Sequence, residues 1–336
     1  MKASVIGGGS WGTAFARLLA NAGFETELVC RRPEQAAAIN RDHRNPDYQL
    51  KIDDHPVDLP PALTAATFTD NHLLSADLVV VAVPSKAYRE VVHNLAAHIN
   101  PAAAVLSLTK GLEPVTLKRL SQVLKEELPA PASGRVLVLS GPNHAEEVAQ
   151  EIPTATTIAT ADLQLARQLQ HDISTNSFRV YINADLIGVE LCAATKNVIA
   201  LAAGMSDGLG FGDNTKASLI TRGLTEMARL GEKMGARPDT FSGLAGLGDL
   251  IATCTSRHSR NRRAGELIAA GMSAAEAEAE MGMVAEGLTS ARSVLDLARR
   301  AGVEMPITEQ VCAVIYDGKD PKQAVIELMT RAPREE

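Results

Sequence analysis

Gly7-Gly8-Gly9-Ser10-Trp11-Gly12 decides how this chain is read. Gly7, Gly9 and Gly12 stand in a G-x-G-x-x-G spacing. Lys2–Ile6 before them reads as a short buried strand. Thr13–Ala20 after them reads as an Ala/Leu-rich helix, and Thr26–Cys30 as a second strand. A dinucleotide-binding turn needs that order. The first glycine permits the tight turn, the second lets the backbone approach a pyrophosphate, and the third lets helix and strand pack closely. The anion then sits over unpaired N–H groups at the helix start. The spacing alone is weak, because glycine runs also make turns that bind nothing. Its weight comes from the strand before it and the helix after it.

The end of the second strand bears on which dinucleotide is meant. Folds that prefer NAD place an Asp or Glu there, about 20 residues past the glycines. This chain has Arg31-Arg32 instead. Cations there suit a 2′-phosphate, and a guanidinium can also stack on adenine. The expectation leans to NADP, with NAD left open. The plainer reading is a solvated pair at a helix start, close to Glu34.

A length of 336 residues is room for two domains with their own cores. The formal charge of −7 argues against nucleic acid or an anionic membrane as the general partner. Cys30, Cys192, Cys254 and Cys312 form no C-x-x-C pair and lie among apolar neighbours, as buried free thiols of a reducing compartment would. The first strand begins at the second or third residue and no apolar run approaches 18 residues. No leader, no stable membrane insertion and a cytoplasmic location are therefore expected, and no metal site.

Outward from the glycine turn, 34–40 reads as a helix and 41–61 as a polar loop or variable insertion punctuated by Pro and Asp. A strand is expected at Ala65–Thr69. The run Leu78–Val83 has the β-branched character of a central parallel strand. A helix at 86–98, a strand at Ala104–Leu108, a helix at 115–128 and a strand at Val136–Leu139 continue the alternation. Lys110 follows one of these strands, and Gly141-Pro142-Asn143-His144-Ala145 follows another. Both fall on the carboxyl rim, where open α/β sheets bind ligands. His144 reads equally as a base or as a helix cap. Two further strands, 152–158 and 178–181, flank a helix at 162–172. Beyond Asn183 only helical patterns occur, at 184–205, 214–234, 260–270, 273–280, 287–301, 308–315 and 321–330. The fold class is thus α/β: an N-terminal Rossmann-type parallel-sheet domain, 1–182, and a C-terminal all-helical domain, 183–336.

The helical half carries its own chemistry. Lys196-Asn197 interrupts an otherwise apolar helix. Burying an ammonium there is costly unless it is paired, and desolvation tunes such a lysine toward proton transfer. A lysine snorkelling out of the helix is the alternative. Gly243–Asp249 is a glycine-rich run ending in an acid that could pair with such a lysine. Next, Arg257, Arg260, Arg262 and Arg263 cluster around Ser259, a fitting N-cap. In a chain of net negative charge this looks like an anion site for a phosphate monoester, although Arg262 and Arg263 read better as solvated.

Taken together, these segments resemble the bacterial NAD(P)-dependent glycerol-3-phosphate dehydrogenase family over nearly the whole chain. The likeness rests on Gly7–Thr13, Lys110-Gly111, Gly141–Ala145, Lys196-Asn197, Gly243–Asp249, Ser259–Arg262 and Glu286-Gly287. It implies reversible hydride transfer between a nicotinamide and C2 of dihydroxyacetone phosphate or sn-glycerol 3-phosphate, a step that feeds phospholipid synthesis. It implies Lys196 as proton acceptor in the oxidative direction, assisted by Lys110 and oriented by Asp249. Lys110, Gly141, Asn143, Lys196, Asp249, Ser259, Arg260 and Asn261 match the substrate set. Gly7, Gly9, Ser10, Trp11, Gly12, Arg31, Arg32, Lys110, Ala145, Arg260, Val284 and Glu286 match the NAD(P) set. Asn143 stands where the family has serine, which weakens that one contact. A 6-phosphogluconate or 3-hydroxyacid dehydrogenase shares the general plan, but Arg260-Asn261 and Gly243–Asp249 argue against it. An NADP-sensing regulator would have no use for Lys110, Lys196 and Asp249 together. A homodimer through the helical half is a further expectation.

Overall fold

A computed structural model describes residues 1–48, 51–52, 55–68 and 71–332. They form two compact units, one of residues 1–113 and 118–186, the other of 114–117 and 187–336. The expected boundary after residue 182 falls at the last strand of the first unit, just ahead of this break.

The first unit holds strands β1 (Lys2–Ile6), β2 (Glu25–Cys30), β3 (Lys51–Ile52), β4 (His55–Pro56), β5 (Leu63–Thr67), β6 (Leu78–Val81), β7 (Ala104–Ser107), β8 (Val136–Ser140), β9 (Thr154–Ala159) and β10 (Phe178–Asn183). Its helices are α1 (Ser10–Asn21), α2 (Pro33–Asp42), α3 (Tyr88–Ala96), α4 (Leu120–Glu127), α5 (Ala145–Ala149) and α6 (Leu163–Ile173). Eight strands share one sheet in the order β10-β9-β8-β7-β6-β1-β2-β5. From β1 the chain steps out to β2 and β5, then returns to the other side of β1 to lay down β6, β7 and β8. The reversal lies between β1 and β6, where a doubly wound sheet opens its ligand crevice.

Pairing is parallel throughout except between β8 and β9, which run antiparallel. The sheet is therefore mixed at that edge rather than wholly parallel. Successive strand residues go to opposite faces. Val5, Leu28, Val80 and Leu106 join one core with Phe15 and Leu19 of α1. Ile6, Val29, Val79, Val81 and Val105 join the other with Tyr88 and Val92 of α3. Both faces are covered, which explains why these strands read as continuous apolar runs.

Two expectations in this half need correcting. The helix expected over 115–128 is confined to Leu120–Glu127. Before it, Leu112 bridges to Arg119 and Leu117 adopts φ of 60°, so the segment turns back on itself instead of coiling. The Gln122 side chain accepts from Arg119 N–H at 3.0 Å and sets the helix start there. The polar excursion 41–61 is anchored rather than loose: it continues α2, forms the β3–β4 hairpin and buries Asn45 and Leu59. Its residues 49–50 and 53–54 lie outside the described residues, as does Thr69 at the end of the strand expected there.

The second unit is helical: α7 (Leu186–Gly208), α8 (Asp213–Lys233), α9 (Pro238–Phe241), α10 (Asp249–Thr255), α11 (Arg260–Ala269), α12 (Ala274–Met281), α13 (Glu286–Ala301), α14 (Pro306–Asp317) and α15 (Pro321–Met329). Among the described residues no strand follows β10. Helix α7 is its axis, buried at every position from Gly188 to Ser206. By length and composition it could cross a bilayer, contrary to the expectation that no run is long enough. Lys196-Asn197 had broken the run in the sequence, but the apolar window spans them. Of that window 83% is buried in the protein's own core.

Candidate active site

The glycine turn has the geometry its spacing predicts. Gly7 adopts φ of 119°, and a Cβ there would lie 2.4 Å from the Ala82 carbonyl oxygen just past β6. Only glycine tolerates both. A Cβ on Gly12 would lie 2.0 Å from the Gly7 oxygen, so the helix packs directly on the turn. Gly9 faces open space. Helix α1 begins at Ser10, earlier than the sequence suggested, and Thr13 N–H makes its first bond, to Gly9 O at 2.9 Å. The amides of Ser10, Trp11 and Gly12 thus form the N-terminal turn that an anion would meet. The Trp11 ring packs edge-to-face on Phe15, centroids 5.6 Å apart. Ala145 starts α5 and packs with Ala14 of α1, next to the turn.

Two residues not singled out in the sequence brace this turn. Gln35 Nε2 and Asn45 Nδ2 both donate to the Gly8 carbonyl, at 2.8 and 3.0 Å. Asn45 Nδ2 also donates to Thr13 Oγ1 at 2.7 Å, and Asn45 Oδ1 accepts from Gln35 at 3.1 Å. Asn45 lies in a stretch whose polarity reads as loop, so nothing local marked it. Arg31 and Arg32 are exposed at the end of β2. Arg32 is paired with Asp47, whose hydrogen bond and charge hold the guanidinium pKa above its ordinary value. The neighbour that counts is Asp47, not Glu34.

On the same rim, Lys110 Nζ donates to Gly141 O at 3.2 Å, joining the ends of β7 and β8. Asn143, which the resemblance gives as a substrate contact, is bonded to β9. Its Nδ2 donates to Ala155 O at 3.2 Å and its Oδ1 accepts from Thr156 Oγ1 at 2.8 Å, so the side chain laces the loop to β9. His144 is the N-cap position of α5 but makes no side-chain cap.

In the helical unit, Lys196 Nζ donates to Asp249 Oδ1 and to Thr253 Oγ1, both at 2.6 Å. The two charged side chains are 5% and 3% exposed. The ammonium is therefore buried and paired, and the snorkelling alternative is excluded. Asp249 is placed by a π-helical turn over Leu244–Gly248, closed by Gly248 N–H to Gly243 O at 3.1 Å. Gly246 packs against the Phe241 backbone, where a Cβ would lie 2.1 Å from the carbonyl oxygen. Gly246 serves that close approach. Thr253 is one turn after Asp249 on the same helix face, and donates to the Asp249 carbonyl at 2.6 Å. That i, i+4 spacing was the overlooked signal. Nearby, burial pushes the Cys254 thiol up to about 12. All four cysteines are free and buried.

Ser259 caps α11 as its position predicts, accepting from Arg262 N–H at 3.2 Å. Arg257 and Arg260 are exposed around that helix start. Arg263 is exposed and paired with Glu266 at 3.2 Å, in keeping with the solvated reading, but Arg262 is half-buried and tied to Asp207 at 2.7 Å and Glu266 at 2.8 Å, a structural cation rather than a solvated one. Asn261 is a strut. Its Nδ2 donates to Asn197 Oδ1 at 3.0 Å and its Oδ1 accepts from Gly287 N–H at 2.8 Å, joining α7, α11 and α13. Arg260 is therefore better placed than the Asn261 side chain to grip a phosphate. Glu286 opens α13, and Val284 just before it is exposed.

Family profiles for the N-terminus and the C-terminus of NAD-dependent glycerol-3-phosphate dehydrogenase match residues 2–166 and 185–326. The glycerol-3-phosphate dehydrogenase (NAD(P)+) of Streptomyces griseus is 49% identical over 336 residues, covering 100% of this chain and 98% of that protein. Its counterpart in Shouchella clausii is 46% identical, covering 100% and 97%. The crystal structure of glycerol-3-phosphate dehydrogenase from Coxiella burnetii matches with a TM-score of 0.91 at 38% identity, over 98% of this chain and 99% of that one. A ketopantoate reductase from Ralstonia eutropha, 16% identical with a TM-score of 0.61, shares the fold alone. With both halves matched and relatives aligned end to end, the chain belongs to the NAD-dependent glycerol-3-phosphate dehydrogenase family.

Proposed function

We propose that this chain is an NAD(P)-dependent sn-glycerol-3-phosphate dehydrogenase of the cytoplasm, reversibly reducing dihydroxyacetone phosphate for phospholipid synthesis. The observation that carries the reading is the buried Lys196–Asp249–Thr253 cluster, in a chain that matches this family throughout. A homodimer through the helical unit belongs to the same reading, and light scattering would report its mass.

The first unit fits a dinucleotide. Gly7 makes the turn, the space at Gly9 leaves room for a pyrophosphate, and the first amides of α1 meet it. Arg31 and Arg32 would meet the adenosine end, with Ser10, Trp11 and Ala145 nearer the glycines. The resemblance also assigns Val284, Glu286 and Arg260 to the cofactor. When bound, the nicotinamide supplies or accepts the hydride.

The remaining chemistry belongs to side chains. Lys196 delivers a proton to the oxygen that develops negative charge at C2, and takes it back in the oxidative direction. Asp249 and Thr253 fix the position of Nζ, and the carboxylate offsets the cost of keeping an ammonium out of water. By the resemblance, Lys110 belongs to the same substrate set. Ser259 and Arg260, at the start of α11, bind the phosphate. Anchoring that remote group orients C2 and so raises the rate.

The test is oxidation of NADPH and of NADH dependent on dihydroxyacetone phosphate, with Lys196→Ala alongside. Turnover in the parent, reduced about 10²-fold or more in the variant, is expected. Absence of turnover with either cofactor would refute the substrate assignment.

A further inference from the structure

The Arg32–Asp47 pair is not an ordinary surface contact, because the same structure that braces the glycine turn fixes it in place. Asn45 is buried and bonded to Gly8 and Thr13 through Nδ2. Its Oδ1 accepts from the backbone N–H of Asp47 at 3.1 Å and of Tyr48 at 3.4 Å. The backbone of Asp47 is thus locked to the turn, and its carboxylate is presented to the Arg32 guanidinium at the end of β2. The Asp47 side chain is 30% exposed and that of Arg32 52%, so both reach solvent.

We propose that Asp47 is a specificity-determining residue that restrains the use of NADP by occupying Arg32. This rests on the reading above that Arg32 meets the adenosine end of the cofactor. A 2′-phosphate arriving at Arg32 must displace or share a carboxylate already paired there. The 2′-hydroxyl of NAD needs no such displacement, and an Asp on this rim can accept from it. Arg31 is left to favour the phosphate. The arginine pair that reads from the sequence as a preference for NADP is therefore offset by an acid 15 positions further on. The chain is built to accept both cofactors.

Substituting Asp47→Asn keeps the shape and removes the charge. The expected result is a rise in the ratio of kcat/KM for NADPH to that for NADH, about five-fold, carried mainly by a lower KM for NADPH. The rise shrinks at high salt, as an electrostatic effect must. Arg32→Ala lowers the same ratio, and Asp47→Asn added to Arg32→Ala recovers little of it. If Arg32→Ala leaves the ratio unchanged, the placement of Arg32 at the cofactor fails and the proposal falls with it. If Arg32→Ala lowers the ratio but Asp47→Asn does not raise it, only the role of Asp47 is overturned. A full rise in the Arg32→Ala background would show direct repulsion and overturn the route through Arg32.

Discussion

Removing either member of the Lys196–Asp249 pair strands the other in a site where both side chains are at most 5% exposed. An uncompensated buried charge costs about 3–5 kcal/mol. Lys196→Met and Asp249→Leu are each expected to destabilise the helical unit by that amount. At about 2–4 °C per kcal/mol for a unit of this size, Tm falls by roughly 6–20 °C. The double variant removes both charges and fills the space with apolar side chains of similar length. Thr253 keeps its bond to the Asp249 backbone carbonyl, so no hydroxyl is orphaned. Its stability should return to within about 2 kcal/mol of the parent, because replacing a whole buried pair is often close to neutral. Activity behaves otherwise. All three variants lose turnover, by about 10²–10⁴-fold where the proton donor is gone, so the double variant is folded and inactive. Thermal denaturation of the four proteins, with dihydroxyacetone phosphate reduction on each, separates the two effects. Additive losses in the double variant would refute the coupling, and an active double variant would refute proton transfer through Lys196.

Two further outcomes follow from particular side chains. Glu226 caps α14, its Oε1 accepting from Ile307 N–H at 2.6 Å and its Oε2 from Thr308 N–H at 3.3 Å, and burial pushes its pKa up to about 7. The folded state then holds a proton that the unfolded chain has released, so stability should fall by about 3 kcal/mol as pH rises from 4.5 toward 7, and level off above. Glu226→Gln should flatten that slope in Tm against pH, and an unchanged slope would refute the assignment. Arg260→Ala, at an exposed site, should raise KM for dihydroxyacetone phosphate about 10–100-fold, the worth of a charged hydrogen bond, with Tm within about 1 °C of the parent. An unchanged KM would remove Arg260 from the phosphate site.

Much of the fold was legible because its signals are local. The glycine spacing, the β-branched run Leu78–Val81 and the loss of strand patterns after Asn183 each follow from backbone sterics or side-chain periodicity over a few residues. The helix expected at 115–128 failed where a tertiary bridge, Leu112 to Arg119, overrode a weak helical pattern. The antiparallel β8–β9 pairing was hidden for a similar reason, since strand direction is set by connections and not by the composition of either strand.

The candidate site divides along the same line. Lys196 and Asp249 could be paired from the sequence because a buried ammonium requires a counter-charge, and a glycine run ending in an acid supplied one. Thr253 as their third member, Asn261 as a strut, Asn143 turned to β9 and Asn45 holding the glycine turn depend on which backbone groups folding brings within 3 Å or so. Asparagine and threonine take whatever donors and acceptors lie nearby, so their residue types do not announce a partner. The sequence by itself determined the class of chemistry, through glycine conformations and the cost of a buried charge. Which polar side chains hold that chemistry in place, and that Asp47 sits on Arg32, was decided only by the tertiary structure, because hydrogen bonds are short and their partners lie far apart in the chain.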